Sequence, residues 1–145
     1  MSIVVQGVTK FYGAQKALDN VSFEIKTGEI VGFLGPNGAG KSTMMKIITG
    51  FIPPSSGNVL VNGIEISDGS LEIRKKIGYL PENNPLYPEM YVREYLYFTA
   101  SLYKSDIPVS KQINDIIEVT GLAPEQKKKI GSLSKGYRQR VGLAQ

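Results

Sequence analysis

The chain contains no cysteine and no histidine among its 145 residues. Without cysteine it can form neither disulfides nor cysteine-rich zinc sites, which suits a cytosolic protein. Without histidine it has no imidazole to serve as a general base or as a metal ligand. The sequence also lacks an apolar run long enough to span a membrane, and its N-terminus lacks the basic start and apolar segment of a secretory signal. We therefore expect a soluble protein whose chemistry depends on other residue types.

The length is that of one ordinary domain, which is enough to bury a hydrophobic core. The net charge of +4 is compatible with a nucleotide ligand, with a membrane surface or with solubility alone. Bulk composition therefore leaves the function open, and the motifs must decide it.

The stretch from Gly35 to Thr43 matches the phosphate-binding P-loop pattern, in which two separated glycines are followed by Lys and then by Ser or Thr. Glycine can adopt the positive φ values that point successive backbone N–H groups at a phosphate. Lys41 adds a charge that can reach the outer phosphates, and the Ser42 hydroxyl is placed to ligate the accompanying Mg²⁺. The predicted nucleotide-binding residues of this stretch are Gly35, Pro36, Asn37, Gly38, Ala39, Gly40, Lys41, Ser42 and Thr43.

The segments on either side of this loop give the order strand, loop, helix. Glu29–Leu34 is a short apolar run, typical of a strand buried on both faces. Gly50 marks the end of a helix that would aim its N-terminus at the phosphates. The apolar residues that recur at helical spacing after the loop are Met44, Ile47, Ile48 and Phe51.

Antiparallel strands surround this unit. Ile3–Val8 is predicted to be the first strand, and Val21–Ile25 alternates apolar and polar residues as a strand with one wet face does. Val59–Val61 and Ile64–Ile66 flank Asn62-Gly63, which is a strong hairpin-turn signal.

The rest of the chain is mostly helical. A short helix over Leu71–Lys76 leads to Ile77–Leu80, a second apolar strand candidate. Tyr91–Gly121 is predicted to contain two helices, of which the second starts at Pro108 and ends at Gly121. A last helix is predicted to start near Tyr137. The two predicted apolar stripes are Val92, Leu96, Thr99 and Leu102, and then Val109, Ile113, Ile116 and Ile117.

Together with the P-loop, the segment Leu133–Arg140 resembles the signature motif of ABC-type ATPases, whose usual form is Leu-Ser-Gly-Gly-Gln followed by Arg-Gln-Arg. Phe11–Gly13 followed by Lys16–Leu18 resembles the family's adenine-stacking loop, and Tyr79–Glu82 resembles its Q-loop. The likeness runs along the whole chain. Within the family, the chain is most similar to the gliding-motility type of ATP-binding subunit, in Tyr79–Glu82, Asn84–Tyr87, Tyr91–Tyr95 and the Lys-Gly-Tyr signature.

This resemblance implies an α/β fold: a P-loop NTPase (RecA-like) core with an antiparallel β subdomain and a helical subdomain. We expect residues 1–82 to form the β subdomain and P-loop core, and residues 83–145 to form the helical subdomain with the signature motif. The family's Walker B strand and switch His lie downstream of the signature, so the chain resembles a partial domain truncated before the Walker B strand. The hydrolytic half and its base would then be absent, and we assign no catalytic residue. Both the P-loop strand and the strand ending at Leu80 would show unpaired edges, so this fragment would be less stable than a complete domain.

The resemblance also assigns roles to single residues. Tyr12 would stack on the adenine, although by itself it could equally be a surface-turn aromatic, and Ala17 would be a small neighbour of the base. Glu82 stands where the family has a Gln that touches Mg²⁺ and the attacking water. A carboxylate ligates Mg²⁺ better than an amide does, so a metal or water contact is favoured over an exposed loop acid. Ser42 and Glu82 are thus the predicted Mg²⁺ ligands.

The signature residues Ser134, Lys135, Gly136 and Tyr137 sit where a helix starts. A Ser hydroxyl, free N–H groups and the helix dipole together form an anion site. In the family this site binds, in trans, the γ-phosphate held by the P-loop of the opposite subunit; an ordinary Ser N-cap is the alternative. Lys135 replaces a Gly and Tyr137 replaces a Gln. Lys135 either strengthens the attraction for the γ-phosphate or points to solvent, with solvent slightly favoured.

The function implied by the resemblance is the ATP-binding part of an ABC transporter ATPase subunit, with ATP and Mg²⁺ as cofactors. Its partners would be a second ATP-binding subunit in a dimer and a transmembrane transporter subunit, contacted by the helical subdomain. The candidate contacts for the transmembrane subunit are Tyr87, Tyr91 and Tyr95, because aromatic residues are enriched at interfaces, although half of such residues could equally be core. No nucleic-acid partner is expected. The location would be cytoplasmic, peripheral on the inner face of the cell membrane.

Three alternatives stay open. The parent protein would hydrolyse ATP, but this chain alone would be inactive, and therefore a binding module only. A soluble ABC ATPase is a second possibility, against which the short span between Glu82 and Leu133 argues. A P-loop kinase of a small acceptor is the third, and the signature segment argues against it.

Overall fold

The computed structural model describes residues 1–66, 71–103 and 106–145, without the side chains of residues 71 and 72. The chain divides into two compact units, Met1–Tyr79 and Leu80–Gln145. The first contains a β-sheet and the glycine-rich loop with its helix, and the second is helical. In the part of the chain that is described, no helix has both the length and the apolar character needed to cross a membrane.

Four antiparallel strands form the sheet of the first unit, in the order β2-β1-β3-β4. Their bounds are β1 Ile3–Tyr12, β2 Gln15–Ile25, β3 Ser56–Val61 and β4 Ile64–Glu65. Strands β1 and β2 extend further than the sequence predicted, because their ladder continues from Ile3–Ile25 to Tyr12–Gln15. The polar residues in between are tolerated because one face of an antiparallel sheet can be wet.

The predicted alternation in β2 is confirmed. Val21, Phe23 and Ile25 are half-buried, whereas the residues between them are exposed. The predicted hairpin is also confirmed, since Asn62 and Gly63 connect β3 and β4 with φ values of 52° and 75°. A two-residue turn with positive φ at both positions matches the twist of the flanking strands.

Helix α1 spans Lys41–Ile48 and buries Met44, Ile47 and Ile48 against the sheet core. The prediction that Phe51 continues this face is wrong, because 72% of its surface is exposed. The helix has already ended, and Gly50 with a φ of 68° turns the chain away before Phe51.

Two predicted strands, Glu29–Leu34 and Ile77–Leu80, are not strands in the structure. Ile30 and Leu34 expose 102% and 92% of their surface. A strand needs neighbours that satisfy its N–H and C=O groups. Within residues 1–66, 71–103 and 106–145, no strand pairs with either segment, and this is the physical reason that apolar runs alone gave the wrong prediction.

Helix α2 spans Leu71–Arg74, shorter than the Leu71–Lys76 that was predicted, and it buries Ile73. In the second unit, α3 spans Val92–Ser101, α4 spans Val109–Val119 and α5 spans Lys135–Ala144. Short 3₁₀ turns at Ala123–Glu125 and Ile130–Ser132 connect α4 to α5.

The predicted stripes supply four residues of the second core, Val92, Leu96, Ile113 and Ile117. The buried residues of this core are Val92, Tyr95, Leu96, Ile113, Ile117, Leu122, Ile130, Leu133 and Val141. Leu102 is the exception among the stripe residues, because α3 ends at Ser101 and leaves 68% of the Leu102 surface exposed. Residues 104 and 105 of the predicted helical stretch lie outside the described residues. Pro108 caps the start of α4, and Gly121 with a φ of 64° follows its end, as predicted.

The assignment of Tyr95 to a partner surface is wrong. Only 3% of Tyr95 is exposed, because it belongs to the core, where the ring of Tyr87 packs edge-on against it at 5.9 Å. Tyr87 and Tyr91 expose 53% and 49% of their surfaces and remain candidates for a partner contact.

Candidate nucleotide-binding site

The glycine-rich loop before α1 contains two residues in the left-handed region. Gly38 has a φ of 85° and Gly40 a φ of 84°, values that other residue types rarely adopt. Gly40 also lies against β2, where a Cβ on Gly40 would overlap the Ala17 carbonyl oxygen and come within 2.6 Å of Leu18 Cδ2. Glycine is therefore required at position 40 by both backbone conformation and space.

Lys41 folds back over this loop. Its Nζ donates hydrogen bonds to the carbonyl oxygens of Gly35 at 2.6 Å and Pro36 at 2.7 Å. The ammonium group has three donors and no acceptor. A phosphate placed in the loop could therefore receive hydrogen bonds from the same ammonium group that now contacts the two carbonyls.

The N-terminus of α1 is open to an anion. Its N-cap is Gly40, which provides no side-chain hydrogen bond, and no acidic residue lies in the first turn. The free N–H groups and the positive end of the helix dipole thus lack a protein counter-charge. The hydroxyl-bearing Ser42 is exposed in this turn, and its hard oxygen suits Mg²⁺. The residues present fit a magnesium-bound triphosphate.

Tyr12 and Ala17 lie on the β1–β2 hairpin of the same unit. Tyr12 ends β1 opposite Gln15 and exposes 47% of its surface, with Lys10 Nζ at 5.7 Å from its ring centroid. The contact between Ala17 and Gly40 holds the start of β2 beside the end of the loop. The structure therefore brings one of the two predicted base neighbours into contact with the phosphate loop.

The predicted signature residues begin α5 in the second unit. Ser134 is its N-cap, and its Oγ accepts a hydrogen bond from the Tyr137 backbone N–H at 3.4 Å. Lys135 and Gly136 are exposed, whereas the Tyr137 ring is half-buried against the core and lies 5.1 Å from the Arg140 guanidinium. Tyr137 thus contributes a backbone N–H to the cap and a ring to the core.

Glu82 is exposed and lines a cleft of about 340 Å³ in the second unit. Lys135 lines the same cleft, so the structure brings the predicted Q-loop acid and one predicted signature residue to one surface depression. Sequence reasoning assigned no site role to the other polar side chains that line this cleft, which are Asn83, Asn84, Arg138 and Gln139. For Arg138 and Gln139, the helical spacing from Lys135 is the signal that could have identified them.

The glycine-rich loop, Lys41 and the open helix N-terminus define the class of protein as a P-loop nucleotide-binding protein. The family model for ABC transporters matches residues 18–145. The chain belongs to the ABC transporter family.

Two curated relatives show the likeness at the sequence level. The chain is 36% identical to the bacitracin transport ATP-binding protein BcrA of Bacillus licheniformis, over 99% of the chain and 47% of the relative. It is 35% identical to the linearmycin resistance ATP-binding protein LnrL of Bacillus subtilis, over 95% of the chain and 45% of the relative. The chain thus spans about half the length of the curated relatives it matches.

Solved structures agree on the fold. The post-hydrolysis dimer of the ATP-binding cassette MJ0796, bound to ADP and Pi, matches with a TM-score of 0.84 at 29% identity, over 98% of this chain and 67% of that one. CbiO1 of Clostridium perfringens matches with a TM-score of 0.83 at 28% identity, over 98% of this chain and 59% of that one. The predicted fold class, a P-loop NTPase with an antiparallel sheet and a helical part, is confirmed. The gliding-motility subtype stays a prediction.

Proposed function

We propose that this chain is the ATP-binding part of an ABC transporter ATPase subunit. The observation that carries the proposal is the position of Lys41, whose ammonium group lies over a glycine loop that leads into a helix N-terminus without any acidic residue in its first turn. A triphosphate carries the charge and the acceptor oxygens that this arrangement lacks. Tyr12, exposed at the end of β1, stacks on the adenine, and Ala17 borders the base.

Mg²⁺ is the second proposed cofactor. Ser42 would supply a hydroxyl ligand, and Glu82 would supply a carboxylate ligand or contact the attacking water. When bound, the ion would neutralise phosphate charge during phosphoryl transfer. Hydrolysis further needs a general base, and we assign none within this chain.

The proposed partners follow from the family. The bacterial ABC transporter cassette MJ0796, which the chain resembles in fold, has been solved as a dimer. This supports a dimer in which Ser134, Lys135, Gly136 and Tyr137 contact the nucleotide of the opposite subunit. BcrA is named as a transport protein, which supports a transmembrane partner and a location on the inner face of the cell membrane. The exposed rings of Tyr87 and Tyr91 are the proposed contacts for that partner.

The test uses the full-length protein and Lys41→Ala, with thermal unfolding followed with and without Mg-ATP and phosphate release measured in the same samples. ATP at a hundredfold excess over its Kd should stabilise the wild type by about 2.7 kcal/mol. Lys41→Ala should lose this stabilisation. Lys46→Ala is the matched control, because it removes an exposed lysine from the same helix without touching the loop.

Three results would count against the proposal. A wild type that Mg-ATP does not stabilise would contradict nucleotide binding. A Lys41→Ala variant stabilised as much as the wild type would contradict the assigned site. A phosphorylated small acceptor in place of released phosphate would show a kinase and not a transport ATPase.

A further inference from the structure

We propose that Asn84 and Gly142 are positioning residues that hold the loop bearing Glu82 against helix α5. We call the contact between Asn84 and Gly142, with the hydrogen bonds beside it, the lock. This inference rests on the proposed function, because it concerns two of the proposed nucleotide contacts, Glu82 and Ser134. The whole arrangement lies within the second unit.

The core of the lock is a contact that only glycine permits. Gly142 is buried in α5, and a Cβ at this position would overlap Asn84 Nδ2. The same Cβ would lie 2.7 Å from Asn84 Cγ and 3.0 Å from Leu80 Cδ1. The Asn84 amide therefore occupies the space that a side chain at position 142 would otherwise fill.

Two hydrogen bonds, one on each side of this contact along the chain, also hold the Glu82–Asn84 loop to α5 and its C-cap. Gln145 Nε2 donates to Asn84 Oδ1 at 3.1 Å, and Gln139 Nε2 donates to the Glu82 carbonyl oxygen at 3.4 Å. Residues 139 and 142 are three positions apart on α5 and so lie on one face of the helix, and Gln145 is the C-cap that follows it. Helix α5 and its C-cap thus hold the loop from Glu82 to Asn84 at three successive points.

The chemistry of Asn84 indicates more than space filling. Its Nδ2 is buried and has no hydrogen-bond partner among the described residues. A buried donor without an acceptor is costly, and an apolar side chain of similar size would avoid that cost. The asparagine is instead held through its Oδ1 by Gln145, which also accepts a hydrogen bond from the core residue Tyr95. The lock is therefore anchored in the core of the unit.

The consequence concerns the coupling of two sites. Ser134 is the N-cap of α5, and Gln139 of the same helix contacts the Glu82 loop. A displacement of α5 must move this loop or break the Asn84–Gly142 contact, because close-packed atoms cannot shift independently of their neighbours. The lock would thus make the position of Glu82 depend on the position of the signature helix.

The test uses the full-length protein and the variants Gly142→Ala, Asn84→Ala and the double variant. Gly142→Ala should push the Asn84 loop off α5 and lower kcat by about a hundredfold, as small misplacements of groups beside the reacting atoms do, with the KM for ATP nearly unchanged. In the double variant the new methyl group fills the space left by the amide but the hydrogen bond from Gln145 is lost, so only part of the lost kcat should return. Asn114→Ala is the matched control, because it removes another asparagine hydrogen bond, that between Arg93 and Asn114, and should keep wild-type kcat.

Hydrogen exchange of the nucleotide-free protein provides a second measurement that does not depend on ATP. The Leu86 N–H, which donates to the Asn84 carbonyl oxygen at 2.9 Å, should exchange faster in Gly142→Ala and return toward the wild-type rate in the double variant. Unchanged kcat and unchanged exchange in Gly142→Ala would overturn the lock. Loss of thermal stability with an unchanged kcat per folded molecule would also overturn it, because that result describes a packing contact only. A wild type that neither binds nor hydrolyses ATP, but shows the expected exchange pattern, would defeat the proposed function and leave the lock itself intact.

Discussion

The carbonyl oxygen of Ala17 lies so close to Gly40 that a Cβ on Gly40 would overlap it. Gly40 also has a φ of 84° and forms the N-cap of α1. Strand β2 therefore restricts the last glycine of the loop independently of the backbone conformation. The phosphate loop is fitted to the antiparallel sheet as well as to the helix that follows it.

Gly40→Ala should therefore destabilise the fold and weaken ATP binding. A side chain at positive φ costs more than about 1 kcal/mol by itself, and the overlap with Ala17 adds to this cost. Urea unfolding should show a lower midpoint, and the Kd for ATP should rise. Gly13→Ala is the matched control, because Gly13 also has a positive φ, 57°, but open space around its Cβ position. Equal losses in the two variants would show that the Ala17 contact contributes nothing.

Tyr12→Ala should weaken ATP binding by about 1–3 kcal/mol, the range found for base–aromatic stacking. Tyr12→Phe should keep most of the affinity, because the stacking surface remains. Isothermal titration with ATP and with inorganic triphosphate checks the assignment, since the second ligand has no base and its affinity should not change. Phe11→Ala, at the neighbouring exposed aromatic, is the control. Equal losses for both ligands would assign Tyr12 to loop structure and not to the base.

Ser134 can be tested with a substitution that separates its two roles. Ser134→Asp should keep the N-cap, because aspartate caps helices as well as serine does, whereas Ser134→Ala should lose about 1 kcal/mol of stability. In the proposed dimer the added carboxylate would repel the γ-phosphate of the opposite subunit, so Ser134→Asp should release much less phosphate than wild type. Thermal midpoints and phosphate release are the measurements. Wild-type phosphate release by Ser134→Asp would leave Ser134 as a cap only.

Burial, and secondarily the charge of Tyr87, raises the pKa of the Tyr95 hydroxyl above the usual value for tyrosine. The neutral form is thus favoured in the folded state. The stabilisation is fully present below the pKa of unfolded tyrosine, about 10, and is lost as pH rises through the higher folded pKa. Thermal midpoints measured from about pH 9 upward should therefore fall less in Tyr95→Phe than in wild type. Tyr103→Phe, at an exposed position, is the control. An equal fall in wild type and Tyr95→Phe would contradict this origin of the pH dependence.

Local patterns determined a large part of this protein. The period-two alternation of β2, the Asn62-Gly63 turn, the apolar face of α1 and the Pro108 and Gly121 boundaries of α4 all depend on interactions within a few residues. The family was recognisable from the P-loop and signature segments, because phosphate binding restricts residue types at fixed spacing. For these features the sequence itself contains the physical reason.

Tertiary structure alone decided the rest. Glu29–Leu34 has the composition of a buried strand, but a strand depends on partners that its own sequence does not specify, and no strand among the described residues pairs with it. Tyr95 has the residue type of an interface aromatic, but packing placed it in the core. The lack of space for a side chain at positions 40 and 142 is due to Ala17 and Asn84, which are distant along the chain. The sequence determined the local conformations and the binding chemistry, and only the folded chain decided which residues meet, because contacts between distant segments depend on packing.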